Sequence, residues 1–268
     1  MFAERTEAAV WAEDGRIMGW LLLVRDVTEA EERAQWRTQF THMIVHDLRN
    51  PISTLMSSMQ LLEGQLTAEQ PRQLVTVSQQ VSGQMLDMVD SLMDINLMEA
   101  GRFTAEVEAM RLPLLVGRVV QAVAPLAASK QISLHLEVAE GLPAVWADEV
   151  LVRRMVVNLL DNALKFTPGG GWVVVQLTAE PAEDAAVAEA GVRCTIADTG
   201  PGIPAAYKEH IFERFVRIST GGAQVRGTGV GLYFCKLAVE AQGGRLWVED
   251  AAVGGSAFVF TLPGVPLF

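Results

Sequence analysis

Asn158-Leu159-Leu160-Asp161-Asn162-Ala163-Leu164-Lys165-Phe166 closes an apolar-periodic run, Glu149 to Phe166, that reads as one amphipathic helix. Asn158 and Asn162 fall one turn apart on its polar face, and Lys165 lies three residues further along that face. Two amide oxygens and an ammonium at this spacing suit Mg²⁺ plus phosphate: hard oxygen for the metal, a point charge for the anion. A solvated polar stripe would look the same, so the run is read with its neighbours. Further helices are expected near Leu114 to Ser129 and Gly229 to Gln242. Strands are expected near Ile132 to Val138, Trp172 to Thr178, Val192 to Ala197, Arg245 to Glu249 and Ser256 to Leu262. The last strands follow one another directly, so the sheet is mixed or antiparallel with helices on one face, an α/β sandwich.

Two glycine-rich turns punctuate this half. Asp198-Thr199-Gly200-Pro201-Gly202-Ile203-Pro204 follows a strand. A carboxylate there can accept from an exocyclic amine, and the glycines let a ring or a phosphate approach the backbone. Gly227-Thr228-Gly229-Val230-Gly231-Leu232 leads straight into a helix, so its amides and the helix N-terminus suit phosphates. No Gly-Lys-Ser/Thr follows, which excludes the P-loop, and the GxGxG spacing excludes the dinucleotide fingerprint.

Upstream the composition changes. From Leu22 to Ala100 there are two glycines and two prolines, whereas seven glycines fall between Gly200 and Gly231, so the earlier stretch reads as long helix. Leu48, Ile52, Leu55, Met59 and Leu62 make one apolar stripe; Leu74, Val77, Val81, Met85, Met88, Leu92 and Ile95 make another. The short connection Glu63 to Thr67 folds them back as an antiparallel hairpin. Stripes this wide leave a lone hairpin uncovered, so a homodimer joined through a four-helix bundle is expected. The alternative is a monomer whose hairpin packs on its own second domain. Before the helices, Asp14-Gly15 and the strand-like Ile17 to Val24 read as a hairpin, and Thr28 to Glu31 has capping-box spacing.

His46 faces away from the first stripe, roughly 200° around the helix from Leu48. His42, His46, Asn50, Ser53 and Ser57 form one polar line, and Pro51 cannot donate to the Asp47 carbonyl. Standing alone, His46 would read as a solvent-facing histidine. The adjacent Asp47 changes that, because a nucleophilic imidazole needs one nitrogen free and the other oriented by an acceptor.

Phe40-Thr41-His42-Met43-Ile44-Val45-His46-Asp47-Leu48-Arg49-Asn50-Pro51-Ile52 resembles the H box of sensor histidine kinases of the HisKA type. The helix from Asn158 and the two glycine turns, in this order, resemble the N box and glycine boxes of the GHKL (Bergerat) ATP-binding fold, and Ile211 to Arg217 its F box. The match runs from about Arg37 to Leu262. It implies an α+β chain with a dimeric helical bundle followed by an ATP-binding sandwich. It further implies that His46 is autophosphorylated from ATP, with Asp47 the proton acceptor, and that the phosphoryl group passes to an aspartate of a response-regulator receiver domain. Asn50 is the candidate for positioning water in dephosphorylation of that partner. Asp198 would bind the adenine amine, and Asn158 and Asn162 the Mg²⁺–phosphate side. Lys165 would contact phosphate, and Gly200, Gly202, Gly227, Thr228, Gly229, Gly231 and Leu232 would line the nucleotide. Arg217, with Arg214, would reach the γ-phosphate from a lid spanning Gly200 to Arg226. Phe166 stands where the family often has tyrosine. The strand Ile17 to Val24 running into Asp26-Val27-Thr28 resembles the end of a PAS sensor, which implies sequence further upstream.

The chain of 268 residues therefore divides as 1–28 sensor end, 29–101 phosphotransfer helices and 106–265 ATP-binding domain. A net charge of −11 argues against nucleic acid, which needs clustered Lys and Arg. No apolar run approaches the roughly 20 residues of a membrane span, so no membrane contact is expected from this segment. Cys194 and Cys235 are too far apart for a zinc motif and are expected to be buried. A cytoplasmic setting fits. Two rivals remain: an ATPase of the GHKL fold, disfavoured because Asn158 stands where those enzymes use a glutamate base, and a non-catalytic dimerisation module, disfavoured by the intact glycine boxes.

Overall fold

The computed structural model describes residues 3–11, 17–28, 48, 51–61, 70–181, 190–214, 216, 229–252 and 254–265. In chain order these form β1 (Ala3–Trp11), β2 (Ile17–Asp26), α1 (residues 51–61), α2 (Gln70–Glu99), β3 (Glu108–Met110) and α3 (Leu112–Ser129). There follow β4 (Ser133–Val138), β5 (Val145–Ala147), α4 (Glu149–Phe166), β6 (Trp172–Glu180), β7 (Gly191–Asp198), α5 (Gly231–Glu240), β8 (Arg245–Asp250) and β9 (Ser256–Leu262). They divide into two units, Met1–Met85 and Leu86–Phe268.

In the first unit β1 and β2 pair antiparallel from Ala3↔Asp26 to Trp11↔Ile17, the expected hairpin. The Asp14-Gly15 turn and the Glu29 to Glu31 part of the capping box lie outside the described residues. Trp20, Leu21, Leu22, Leu23 and Val24 are all exposed, so apolar side chains stand on both faces of the ribbon. On α1 the polar line is exposed at Ser53 and Ser57. The apolar stripe is left open too, with Ile52 43% and Met59 61% exposed. On α2, Val77 is exposed, and of the expected stripe only Leu92 and Ile95, in the part that belongs to the second unit, are buried. The connection at 63–67 lies outside the described residues.

The second unit is built on a five-stranded sheet of order β4-β6-β7-β9-β8. β4 runs parallel to β6 and every other neighbour in this sheet is antiparallel, so of the two expected arrangements, mixed or antiparallel, the sheet is mixed. Buried and half-exposed residues alternate along β7, the pattern of a sheet covered on one face. α4 packs between α3 and α5, and all three contact the sheet. Its helix starts where Asp148 Oδ1 accepts from Val150 N at 2.9 Å and Leu151 N at 3.1 Å, which satisfies two of the free amides of the first turn. Leu151, Met155, Leu159, Ala163 and Leu164 then recur at helical spacing and are all buried. Each large side chain among them contributes about 1.5–3 kcal/mol by leaving water. The C-terminal end is closed by Thr167 Oγ1 donating to Ala163 O and Lys130 Nζ donating to Leu164 O at 3.0 Å.

Differences from the expected elements are local. α3 begins two residues early because Pro113 suits a first helical turn, where its missing N–H has no partner to lose. It is long and apolar enough by composition to cross a membrane, yet Leu112, Leu115, Val116 and Val119 are buried and the helix packs on α4 and β4. The short antiparallel pair β3–β5 had no counterpart in the sequence reading. Cys194 and Cys235 are both buried, as expected, and burial pushes both thiols above their ordinary range.

Candidate nucleotide site

Asp198 ends β7, and its register opposite Val173 sets it at the rim of the sheet, where the chain turns through Gly200 and Gly202. The side chain is almost completely buried. Its Oδ1 accepts from Gly200 N at 2.7 Å and from Ser256 N at 3.4 Å. Among the described residues Oδ2 has no hydrogen-bond donor. A buried carboxylate oxygen without a donor is costly unless something else supplies one. Desolvation accordingly pushes this carboxyl above its ordinary value, with the two backbone donors pulling the other way.

The glycines beside it are dictated by close approach. A Cβ on Gly255 would stand 1.9 Å from Asp198 O, and Gly255 has φ of 93°. A Cβ on Gly200 would stand 2.7 Å from Asp198 Oδ1 and 3.0 Å from Phe166 O, so the turn lies directly against the end of α4. Gly202 adopts φ of 73° over the Gly255 carbonyl.

The other glycine turn meets α4 eight residues earlier. A Cβ on Gly231 would stand 3.3 Å from Asn158 Oδ1, so this amide oxygen lies beside the N-terminus of α5, where first-turn N–H groups lack intrahelical acceptors. Gly229 has φ of 65°, a left-handed conformation that no helix continues, which is why α5 starts at Gly231 rather than at Gly229. From Asn158 to Phe166 the helix rises about 12 Å. Asn162, half-buried, and Lys165, exposed with Nζ 4.9 Å from the Phe166 ring centre, lie on this stretch. α4 thus carries an anion-favouring helix end at one point and a buried acceptor at another, a nucleotide's length apart. The donor set fits Mg²⁺: Asn158 and Asn162 offer neutral oxygen, and Asn158 Oδ1 already lies against the phosphate-suited helix end.

The described part of the F-box run, 211–214, is anchored on the sheet. Ile211 and Phe212 are buried, and the Phe212 ring meets Phe258 of β9 edge-on at 6.2 Å. Lys208 pairs with Asp250 at 2.7 Å, and His210 Nδ1 with Glu213 at 2.8 Å, which raises the imidazole above its ordinary value. Arg214 lies with its guanidinium 5.1 Å from the ring centre of Tyr233, in the first turn of α5. His46, Asp47, Asn50, Arg217, Gly227 and Thr228 lie outside the described residues, as does His42; Leu232 is half-buried in α5.

Comparison with known proteins agrees with both halves. Residues 36–101 match the His Kinase A (phospho-acceptor) domain model, and residues 147–266 match that of the histidine kinase-, DNA gyrase B- and HSP90-like ATPases. The chain belongs to the sensor histidine kinase family. Its relatives include the adaptive-response sensory kinase SasA of Synechococcus sp. strain JA-3-3Ab, 33% identical over 243 residues, covering 87% of this chain and 62% of that protein. SasA of Synechocystis sp. strain PCC 6803 is 30% identical over 249 residues, covering 90% and 63%. The chain therefore spans less than two thirds of the length of these relatives. Among solved structures, full-length ShkA in complex with AMPPNP aligns with a TM-score of 0.60 and 26% identity, over 86% of this chain and 46% of that one.

Within this family the α+β architecture is the expected one, a helical phosphoacceptor region followed by a GHKL-type sandwich. Sequence reasoning did not single out Glu99, Arg154, Tyr233 or Gly255. The Gly254-Gly255 dipeptide was a usable signal for Gly255, because paired glycines mark turns that need left-handed φ. The other three make contacts across long separations that no local pattern announces: Arg154 pairs with Asp94, and the Tyr233 hydroxyl donates to Glu99.

Proposed function

We propose that this chain is an ATP-dependent protein-histidine kinase that autophosphorylates His46 and passes the phosphoryl group to an aspartate of a response-regulator receiver domain. The observation that carries the reading is the pair of anchors on α4: Asn158 against Gly231, and the Asp198 turn against Phe166. Asp198 Oδ2 accepts from the adenine amine, and the glycines allow the ring and phosphates to lie on backbone. The N-terminus of α5 takes the phosphates. Asn158 and Asn162 hold Mg²⁺, with Lys165 on phosphate. Bound Mg²⁺ neutralises charge on the phosphate oxygens. The lid arginines, Arg217 and Arg214, reach the γ-phosphate, and Gly227 and Thr228 close the loop over it.

In the transfer step the free nitrogen of the His46 imidazole forms a bond to the γ-phosphorus. The bond from that phosphorus to the bridging oxygen breaks, and its electron pair leaves on ADP. Asp47 accepts the proton of the other ring nitrogen, so the phosphorylated imidazole is not left cationic. Asn50 orients water for the reverse task, dephosphorylation of the regulator. The exposed stripe residues Ile52, Met59 and Val77 support assembly as a homodimer. The apolar side chains on both faces of β1–β2 support reading residues 1–28 as the end of a sensor domain, followed by 29–101 and 106–265 as phosphotransfer and ATP-binding domains.

Incubation with [γ-³²P]ATP and Mg²⁺ tests the proposal. Label that stays with the protein, is lost in acid and survives in alkali supports a phosphohistidine. Free phosphate without labelled protein would favour the ATPase reading, and neither product would favour a non-catalytic module.

A further inference from the structure

The last turns of α2 belong to the same unit as the nucleotide site and meet it through two carboxylates. Asp94 pairs with Arg154 of α4, which also donates to Ser91 Oγ at 3.0 Å and stacks 4.4 Å over the Phe234 ring. Further along the helix Glu99 pairs with Arg214 and accepts from the Tyr233 hydroxyl at 2.8 Å. Tyr233 lies two residues after Gly231, so Glu99, Arg214 and Tyr233 form a cluster at the phosphate end of α5. The Glu99 side chain is 22% exposed and that of Arg214 38%, so the pair is partly shielded from water.

A guanidinium binds carboxylate and phosphate with the same fork of N–H donors. An arginine engaged by Glu99 is therefore not free to serve a phosphate arriving at the α5 N-terminus. We infer that Glu99 is a positioning residue that competes with the terminal phosphate of ATP for Arg214. ADP ends one phosphate short and leaves the Glu99–Arg214 pair in place. Because the carboxylate stands on the last turn of α2, just before Gly101 with φ of 63°, occupancy by ATP loosens the end of the phosphoacceptor helix at its exit, and ADP restores the contact. By linkage, whatever pulls Glu99 away from Arg214 raises affinity for ATP by the same factor. This inference rests on the nucleotide site proposed above.

Calorimetric titration of the full chain with Mg²⁺–AMPPNP and with Mg²⁺–ADP tests it without turnover. Glu99→Gln keeps the size of the side chain and its acceptor for Tyr233 while removing the charge. The expected result is AMPPNP bound about five-fold more tightly, the factor set by a partly shielded ion pair, with ADP unchanged. In Glu99→Gln combined with Arg214→Met the gain disappears. Asp94→Asn, which loosens the other carboxylate contact, leaves the ratio of the two affinities as in the wild type. Equal changes for both nucleotides, or no change, would overturn the competition. Failure of the wild-type chain to bind either nucleotide would overturn the nucleotide site itself, and the competition with it.

Discussion

Replacing Asp198 by asparagine isolates the adenine contact from the fold. The substitution keeps the shape of the side chain, and Oδ1 can go on accepting from Gly200 N at 2.7 Å and Ser256 N at 3.4 Å. The position of Oδ2 becomes an NH₂ group, which meets an incoming exocyclic amine donor to donor. Loss of a hydrogen bond to a charged acceptor amounts to about 1.5–3 kcal/mol, or about ten- to a hundred-fold in Kd. Stability moves the other way. Burial raises the Asp198 carboxyl above its ordinary 3.8, so the folded state holds this proton more tightly than the unfolded chain does. Its stabilising contribution is full below 3.8 and is lost as pH rises through the raised folded value. At neutral pH the wild type therefore carries a buried charge that asparagine removes, and the melting temperature should hold or rise. Titration with Mg²⁺–AMPPNP and thermal melting on one preparation give both numbers. Unchanged affinity, or affinity lost together with several degrees of melting temperature, would refute the assignment.

Two further substitutions probe separate parts of the account. Gly255→Ala drives a Cβ to within 1.9 Å of the Asp198 carbonyl at a φ of 93°, so it should lower stability by more than about 1–3 kcal/mol and weaken nucleotide binding, measured by urea unfolding and titration. Asn50→Ala should retain autophosphorylation and lose phosphatase activity toward the phosphorylated regulator; loss of both rates together with melting temperature would mean that Asn50 only caps the helix ahead of Pro51.

The parts of the structure legible in the sequence are those with a repeat or a punctuation mark. Eighteen residues of periodic apolar spacing after Asp148 gave α4 to its ends, because a capping carboxylate starts it and Thr167-Pro168 stops it. β9 was equally plain, a run of apolar and β-branched residues buried along its whole length. The pair β3–β5 escaped, since three residues carry no period and the pairing joins Glu108 to Ala147 across an entire helix. The start of α5 was misplaced by two residues because the sequence shows that Gly229 is flexible but not that its φ is positive. In the site, Asp198 and the glycines were readable from local turn chemistry. Ser256 N, which completes the Asp198 contacts, and Glu99, which holds Arg214, were not, because each comes from a distant element brought in by the fold.

The proposed function stands or falls on whether His46 receives the γ-phosphoryl group of ATP bound between the Asn158 helix and the Asp198 turn. The direct measurement is incorporation of ³²P from [γ-³²P]ATP into wild type, His46→Gln and His42→Gln, with AMPPNP affinity measured on each. Acid-labile label is expected in the wild type, most of it retained in His42→Gln and none in His46→Gln, with nucleotide affinity unchanged in all three. Equal labelling of wild type and His46→Gln would contradict it.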